Sequence, residues 1–161
     1  MKTIKMKNLL IALDYDPTAQ KVAEIGFSLA KTMNAKVTLL HVMADLIYYS
    51  TADDIAIMGF SPYFDSGLLE LKNKDEMRKV SQKFLDKIQH HLGDNSIKTI
   101  VEEGNIAEMI ISTANNEKAH VIVLGSHSRR WLESIILGSV AEKVLHLSSI
   151  PLFIIPTKKQ N

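Results

Sequence analysis

Five short apolar runs constrain this chain more than any other feature. They are residues 8–13 (NLLIAL), 36–42 (KVTLLHV), 97–101 (IKTIV), 121–124 (VIVL) and 151–155 (PLFII). The first is continuously apolar and ends abruptly at Asp14, as expected of a strand buried on both faces. Between the runs the spacing turns helical. After Asp16-Pro17, where Asp reads as an N-cap and Pro as the first helical residue, Val22, Ile25, Leu29 and Met33 recur on one face. A second helix is predicted over 67–92, with Met77, Val80, Phe84 and Ile88 on its inner face. A third is predicted over 106–116 and a fourth over 138–147. Strands alternating with helices predict an α/β domain. Its sheet is parallel, its two faces are covered by helices, and its crossovers are right-handed.

At 161 residues the simplest organisation is one domain, with residues 1–6 and 157–161 expected to fray. The net charge of +1 gives no general attraction to nucleic acid or to a membrane surface. With no cysteine, disulfides, zinc-thiolate sites and thiol catalysis are excluded, which fits a reducing compartment. The basic N-terminus reads as a first strand, and no apolar run approaches the roughly 18 residues that a membrane span requires. The expected location is cytoplasmic. The histidines show no metal-like spacing on one helix face, so no metal site is expected.

Residues 121–140 (VIVLGSHSRRWLESIILGSV) carry the chemistry. A buried strand runs into a loop of glycine, hydroxyls and arginines, which opens a helix. Free backbone N–H groups and the helix dipole make such a junction a phosphate cradle. Gly125 lets the main chain approach a ligand without a Cβ, or simply ends the strand. Gly138, Ser139 and Val140 would present N–H groups, with the Ser139 hydroxyl beside them. Ser139 equally forms a Ser-x-x-Glu capping box with Glu142. Arg129 and Arg130 are forked, permanently charged donors, of which at most one reaches a phosphate while the other is solvated. His127 lies in the same loop, either at the phosphate or incidental to it, and Trp131 reads as a packing anchor. In parallel sheets ligands bind beyond the carboxyl ends of the strands, where strand order reverses. If the first and fourth strands flank that reversal, Asp14 and Gly125 share its mouth. Residues 43–66, rich in aromatics, read as a lid over the site or as a cover for the sheet or a dimer surface.

The order of elements resembles the universal stress protein family over nearly the whole chain. ATP-binding members of that family carry Gly, two residues, Gly, nine residues, Gly and then Ser or Thr. Gly125, Ser126-His127, Ser128, residues 129–137 and Gly138-Ser139 keep that spacing, with Ser128 in place of the middle glycine. Asp14, the LLHV ending of the second strand and EGNIAEMI after the third also resemble the family. The resemblance implies an adenine-nucleotide alpha-hydrolase-like sheet of order 3-2-1-4-5. It implies ATP or AMP as ligand, with magnesium as its companion ion. It also implies a homodimer through the fifth-strand edge, which Pro151 opens and Ile155 closes. Asp14 would then accept from ribose hydroxyls or help hold a divalent metal, and the main chain of His41 and Val42 would meet adenine. Tyr15, where the family often has a small residue, would stack near the base or obstruct it. If position 128 needs a positive φ, Ser costs about 1 kcal/mol there.

There is no Gly-x-x-x-x-Gly-Lys-Ser/Thr and no Gly-x-Gly-x-x-Gly after the first strand, so P-loop and dinucleotide-type chemistry are not expected. No general base stands out beside a γ-phosphate, which leaves at most slow ATP hydrolysis. The reading is a small regulatory nucleotide binder with no catalytic residues. The competing reading is an interaction module of the same fold that has lost the nucleotide.

Overall fold

The computed structural model describes residues 1–15, 17–44, 74–126 and 137–157. Five strands alternate with four helices: β1 (Asn8–Ala12), α1 (Ala19–Thr32), β2 (Lys36–Met43), α2 (Lys74–Leu92), β3 (Lys98–Glu103), α3 (Ile106–Asn116), β4 (Val121–Gly125), α4 (Ser139–Leu147) and β5 (Leu152–Ile155). All four strand pairs are parallel and the order is β3-β2-β1-β4-β5. The reversal of strand order falls between β1 and β4, as expected. The registers Leu9↔Val121 and Ile11↔Val123 bring the two strands to a common carboxyl end.

Side-chain alternation divides the interior into two cores. Leu9, Ile11, Leu13, Leu39, Met43 and Val123 face α1 and α2, where they meet Val22, Ala23, Leu85 and Ile88. Leu10, Leu40, Val42, Ile122 and Leu124 face α3 and α4, where they meet Ile110, Ala114, Ala141 and Val144. The α1 helix lies close on the sheet at Gly26, where a Cβ would stand 2.8 Å from Ile11 Cδ1. After β3 the chain turns sharply at Gly104, whose φ of +138° suits only glycine. The Gly104 N–H donates to the Met43 carbonyl at 2.9 Å, and Asn105 then caps α3 by accepting from the Glu108 N–H at 3.2 Å.

The two sheet edges are finished differently. At β3 the strand alternation turns the main chain of Val101 outward, and Arg78 Nη1 of α2 donates to its carbonyl at 2.8 Å. Gln82 donates to the Thr99 hydroxyl at 2.9 Å, Lys98 pairs with Glu117 at 2.7 Å, and Lys74 pairs with Glu103. At β5 the carbonyls of Pro151 and Ile155 accept from Ile122 and Ser126 of the β4 side, so the main chain of Leu152 and Ile154 points outward. Phe153 is 39% exposed there.

Several expected boundaries shift. Thr18, not Asp16, is the N-cap of α1, and Pro17 sits in the preceding turn. The helix starts late because Tyr15, still buried, extends the line of β1 beside the sheet. The β2 strand continues to Met43, and β3 runs to Glu103. Thr157 is buried and hydrogen-bonded rather than frayed, since its N–H donates to Ser126 Oγ at 3.1 Å. Residues 45–73 lie outside the described residues, and with them most of the expected lid and the start of the second helix.

Candidate functional site

Beyond the carboxyl ends of β1 and β4 lies an open cleft of about 700 Å³, counting the solvent at its mouth. Its position follows from the topology: the crossovers to either side of the reversal leave in opposite directions and open a crevice between them. Asp14, Val42, Gly125, Ser126, Gly138 and Val140 all line it, so the fold gathers six of the ten expected site residues. His127, Ser128 and Arg129 lie outside the described residues, as do Asp16, Arg130 and Trp131. Ser139 is exposed beside the cleft, as the first residue of α4.

Asp14 owes its direction to alternation. In the line of β1, Leu10 and Ala12 face α3 and α4, and Asp14 continues that face into the cleft. A carboxylate there offers acceptor oxygens only. Val42 reaches the cleft by the same rule on β2. The Leu40 carbonyl accepts the Leu13 N–H at 2.8 Å on the β1 side, and the Met43 carbonyl accepts Gly104 on the β3 side. Val42 main-chain groups therefore turn toward β1, one step past the point where β1 ends.

The opposite wall is the start of α4. Gly138, which has no side chain to offer, is its N-cap. The first intrahelical bond runs from the Glu142 N–H to the Gly138 carbonyl at 2.9 Å, so the N–H groups of Ser139, Val140 and Ala141 have no acceptor within the helix. The expected capping box between Ser139 and Glu142 is not formed. A box needs the hydroxyl at the N-cap, and Ser139 stands one position inside the helix. By contrast α3, which also borders the cleft through Ile106 and Ile110, is capped by its own Asn105.

Ser126 holds the wall together. Its N–H donates to the Ile155 carbonyl at 2.8 Å, its carbonyl accepts the Gly138 N–H at 2.6 Å, and its hydroxyl accepts the Thr157 N–H. The floor and sides are apolar, formed by Val22, Leu40, Ile110 and Leu124. The cleft thus has an acceptor at one end, main-chain donors at the other and an apolar surface between them. Among the described residues no group of three His, Asp or Glu side chains stands ready to hold a metal.

Tyr15 does neither of the things expected of it. It is buried on the α2 side, stacked on Phe84 with ring centroids 4.4 Å apart, and its hydroxyl donates to the Val80 carbonyl at 2.7 Å. Period-2 alternation puts it opposite Asp14, on the face away from the cleft. Burial pushes its phenol well above the usual tyrosine range. The side chain of His41, considered from sequence only for its main chain, is likewise buried on that side, with Nδ1 2.8 Å from the Leu13 carbonyl. The alternation of LLHV, with Leu40 and Val42 on one face, was the available signal for it.

An open parallel α/β sheet with a crevice at its topological switch point defines the class. The pattern of the universal stress protein family matches residues 5–156, and the chain belongs to that family. It is 29% identical over 163 residues to universal stress protein MJ0577 of Methanocaldococcus jannaschii, an alignment covering 97% of this chain and 98% of that one. To universal stress protein YxiE of Bacillus subtilis (strain 168) it is 28% identical over 149 residues, covering 91% and 97%. Among solved structures, that of MJ0577 superimposes with a TM-score of 0.70 at 24% identity, over 98% of this chain and all 100% of the other. A universal stress protein in complex with cAMP superimposes with a TM-score of 0.64 at 17% identity, over 96% and 100%. No helix among the described residues is long and apolar enough to cross a membrane.

Proposed function

We propose that the cleft binds an adenine nucleotide, ATP or AMP, and that the protein acts as a regulatory nucleotide binder in a stress response. The observation that carries this reading is convergence. The Asp14 carboxylate, the Val42 main chain and the uncapped first turn of α4 meet on one apolar crevice at the switch point. Asp14 repels phosphate, so the anionic end of the ligand belongs at Gly125, Gly138, Ser139 and Val140. The ribose hydroxyls then fall to Asp14, and the base to the apolar surface near Val42. A ribonucleotide carries those three parts in that order. Ser126 contributes by holding the loop's two ends, since its hydroxyl already serves Thr157. His127, Ser128 and Arg129 complete the phosphate end in this reading, and magnesium enters with ATP as the counter-ion of its phosphates. The solved relative in complex with cAMP has a ligand of the same chemical class.

Homodimerisation through β5 belongs to the same reading, supported by the outward main chain of Leu152 and Ile154 and by the exposed Phe153. The competing reading, an interaction module without nucleotide, would be favoured by a Tyr15 that obstructs the base or a Ser128 strained at the phosphate. Tyr15 is packed away from the cleft and no longer speaks for it.

Heat-denaturing the purified protein and chromatographing what it releases tests the proposal. Near-stoichiometric adenine nucleotide is expected. Failing that, Mg-ATP or AMP should raise the melting temperature, with about 2.7 kcal/mol of stabilisation at a hundredfold excess over Kd. No released nucleotide and no shift with either ligand would leave the interaction module as the function.

A further inference from the structure

We infer that His41 is a positioning residue that, together with Tyr15, clamps the main chain on both sides of Asp14 and so sets how the cleft grips a ribose. This rests on the nucleotide reading above. Regular β1 ends at Ala12, two residues before the carboxylate that the cleft uses. A carboxylate on a freely swinging strand end would lose binding energy to its own ordering. Leu13 is nevertheless held at both of its main-chain groups by β2. Its N–H donates to the Leu40 carbonyl at 2.8 Å, and its carbonyl lies 2.8 Å from Nδ1 of His41. A carbonyl only accepts, so Nδ1 carries the proton in this contact. On the other side of Asp14, Tyr15 is fixed by its stacking on Phe84 and by the bond from its hydroxyl to the Val80 carbonyl.

The two halves of the clamp touch. The His41 ring stands edge-on to Tyr15, with centroids 5.3 Å apart, and to Phe84 at 5.8 Å. His41 itself is 1% exposed and lies on the closed face of the sheet, so it does not line the cleft. The imidazole thus extends the β1–β2 ladder by one side-chain bond where the backbone ladder has run out. The peptide before Asp14 is aimed from behind, and Asp14 lines the cleft on the other face.

Two substitutions separate positioning from packing. His41→Leu removes the Nδ1 donor. His41→Asn keeps one, because an asparagine amide nitrogen sits close to the place of Nδ1. Both lose ring contacts and should lower stability in urea. His41→Leu should weaken Mg-ATP binding about tenfold, while His41→Asn stays within about threefold of wild type. The loss in His41→Leu should shrink below about twofold when Asp14 is already Ala, as coupled sites require. It should shrink in the same way with an ATP analogue lacking both ribose hydroxyls. Equal losses in His41→Leu and His41→Asn, or additivity with Asp14→Ala, would overturn the inference. Amide exchange gives a readout independent of ligand: the Leu13 N–H should exchange at least about tenfold faster in His41→Leu, relative to Leu10, than in wild type. A wild-type protein that binds no nucleotide sinks the nucleotide reading, whereas unchanged exchange at Leu13 sinks the clamp.

Discussion

The two edges of the sheet face the same hazard and meet it in opposite ways. Any edge strand presents unpaired main-chain groups to whatever strand comes near. At β3 the chain seals itself. Arg78 covers the Val101 carbonyl, Gln82 ties down Thr99, and Lys98 and Lys74 place charge along the strand. At β5 the strand is four aliphatic or aromatic residues with Phe153 half turned to solvent. Among the described residues side chains cover the β3 edge and not the β5 edge, which is why the proposed homodimer uses β5. The ion pairs at β3 are exposed and contribute little to stability, so their value is in exclusion rather than cohesion.

The strongest way to break this contrast is to loosen the helix that does the sealing. Leu85 of α2 is fully buried in the core beneath it, and Leu85→Ala should cost about 2–5 kcal/mol in urea unfolding, with aggregation through the uncovered β3 edge. A loss under about 1 kcal/mol would mean that α2 does not hold that side. At the open edge, Ile154→Pro deletes an outward N–H and leaves the bonds to β4 untouched. In a two-fold symmetric pairing that removes two bonds, and dimer affinity should fall on the order of a hundredfold. Sedimentation equilibrium reads this directly, and a wild-type monomer would break the contrast outright. Arg78→Ala should cost about 1 kcal/mol and increase light scattering at high concentration, because the Val101 carbonyl becomes available to another chain. Unchanged scattering would show that the charges alone protect β3.

The smallest effect is expected in the turn that leads into β3. Asp94 accepts from the Ser96 side chain and backbone and pairs with Lys31, and these bonds hold its carboxyl down at about 2. A depressed folded value contributes stability above the unfolded carboxylate range, and that contribution is lost as pH falls from about 4 through 2. The group is exposed, so the change should be slight. Carbon NMR of the Asp94 carboxyl should give a midpoint near 2. A midpoint near 4 would mean that the turn does not persist in solution.

Much of the fold was legible because burial on both faces of the central strands β1 and β4 writes itself as unbroken apolar runs, and the other three strands still read as short apolar-rich segments. All five runs became strands, and the helix spacing placed α1, α3 and α4 within a few residues and the end of α2 at Leu92, the expected start of α2 lying outside the described residues. The errors share one cause. A continuous run conceals which residues face which side, so Tyr15 was set beside the ligand although it alternates with Asp14. The side chain of His41 passed unnoticed within LLHV. Helix starts were missed by one or two residues where several residues qualify as cap, Asp16 against Thr18 and Ser139 against Gly138. Tertiary constraint chose among them: buried Tyr15 delays α1, and the bond from the Gly138 N–H to Ser126 sets the start of α4. The arrangement of Asp14, Gly125 and Gly138 about one crevice required the strand order, which the runs alone do not specify.

Ser126 has a consequence for how such a protein can change over generations. Its carbonyl binds Gly138 and its hydroxyl binds Thr157, so the chain between 126 and 138 begins and ends at one knot. Substitutions at Ser126 would therefore be felt at once in β5, at Gly138 and in the start of α4. One small residue thus ties β5 and the start of α4 to the end of β4, so drift at this position is costlier than its size suggests.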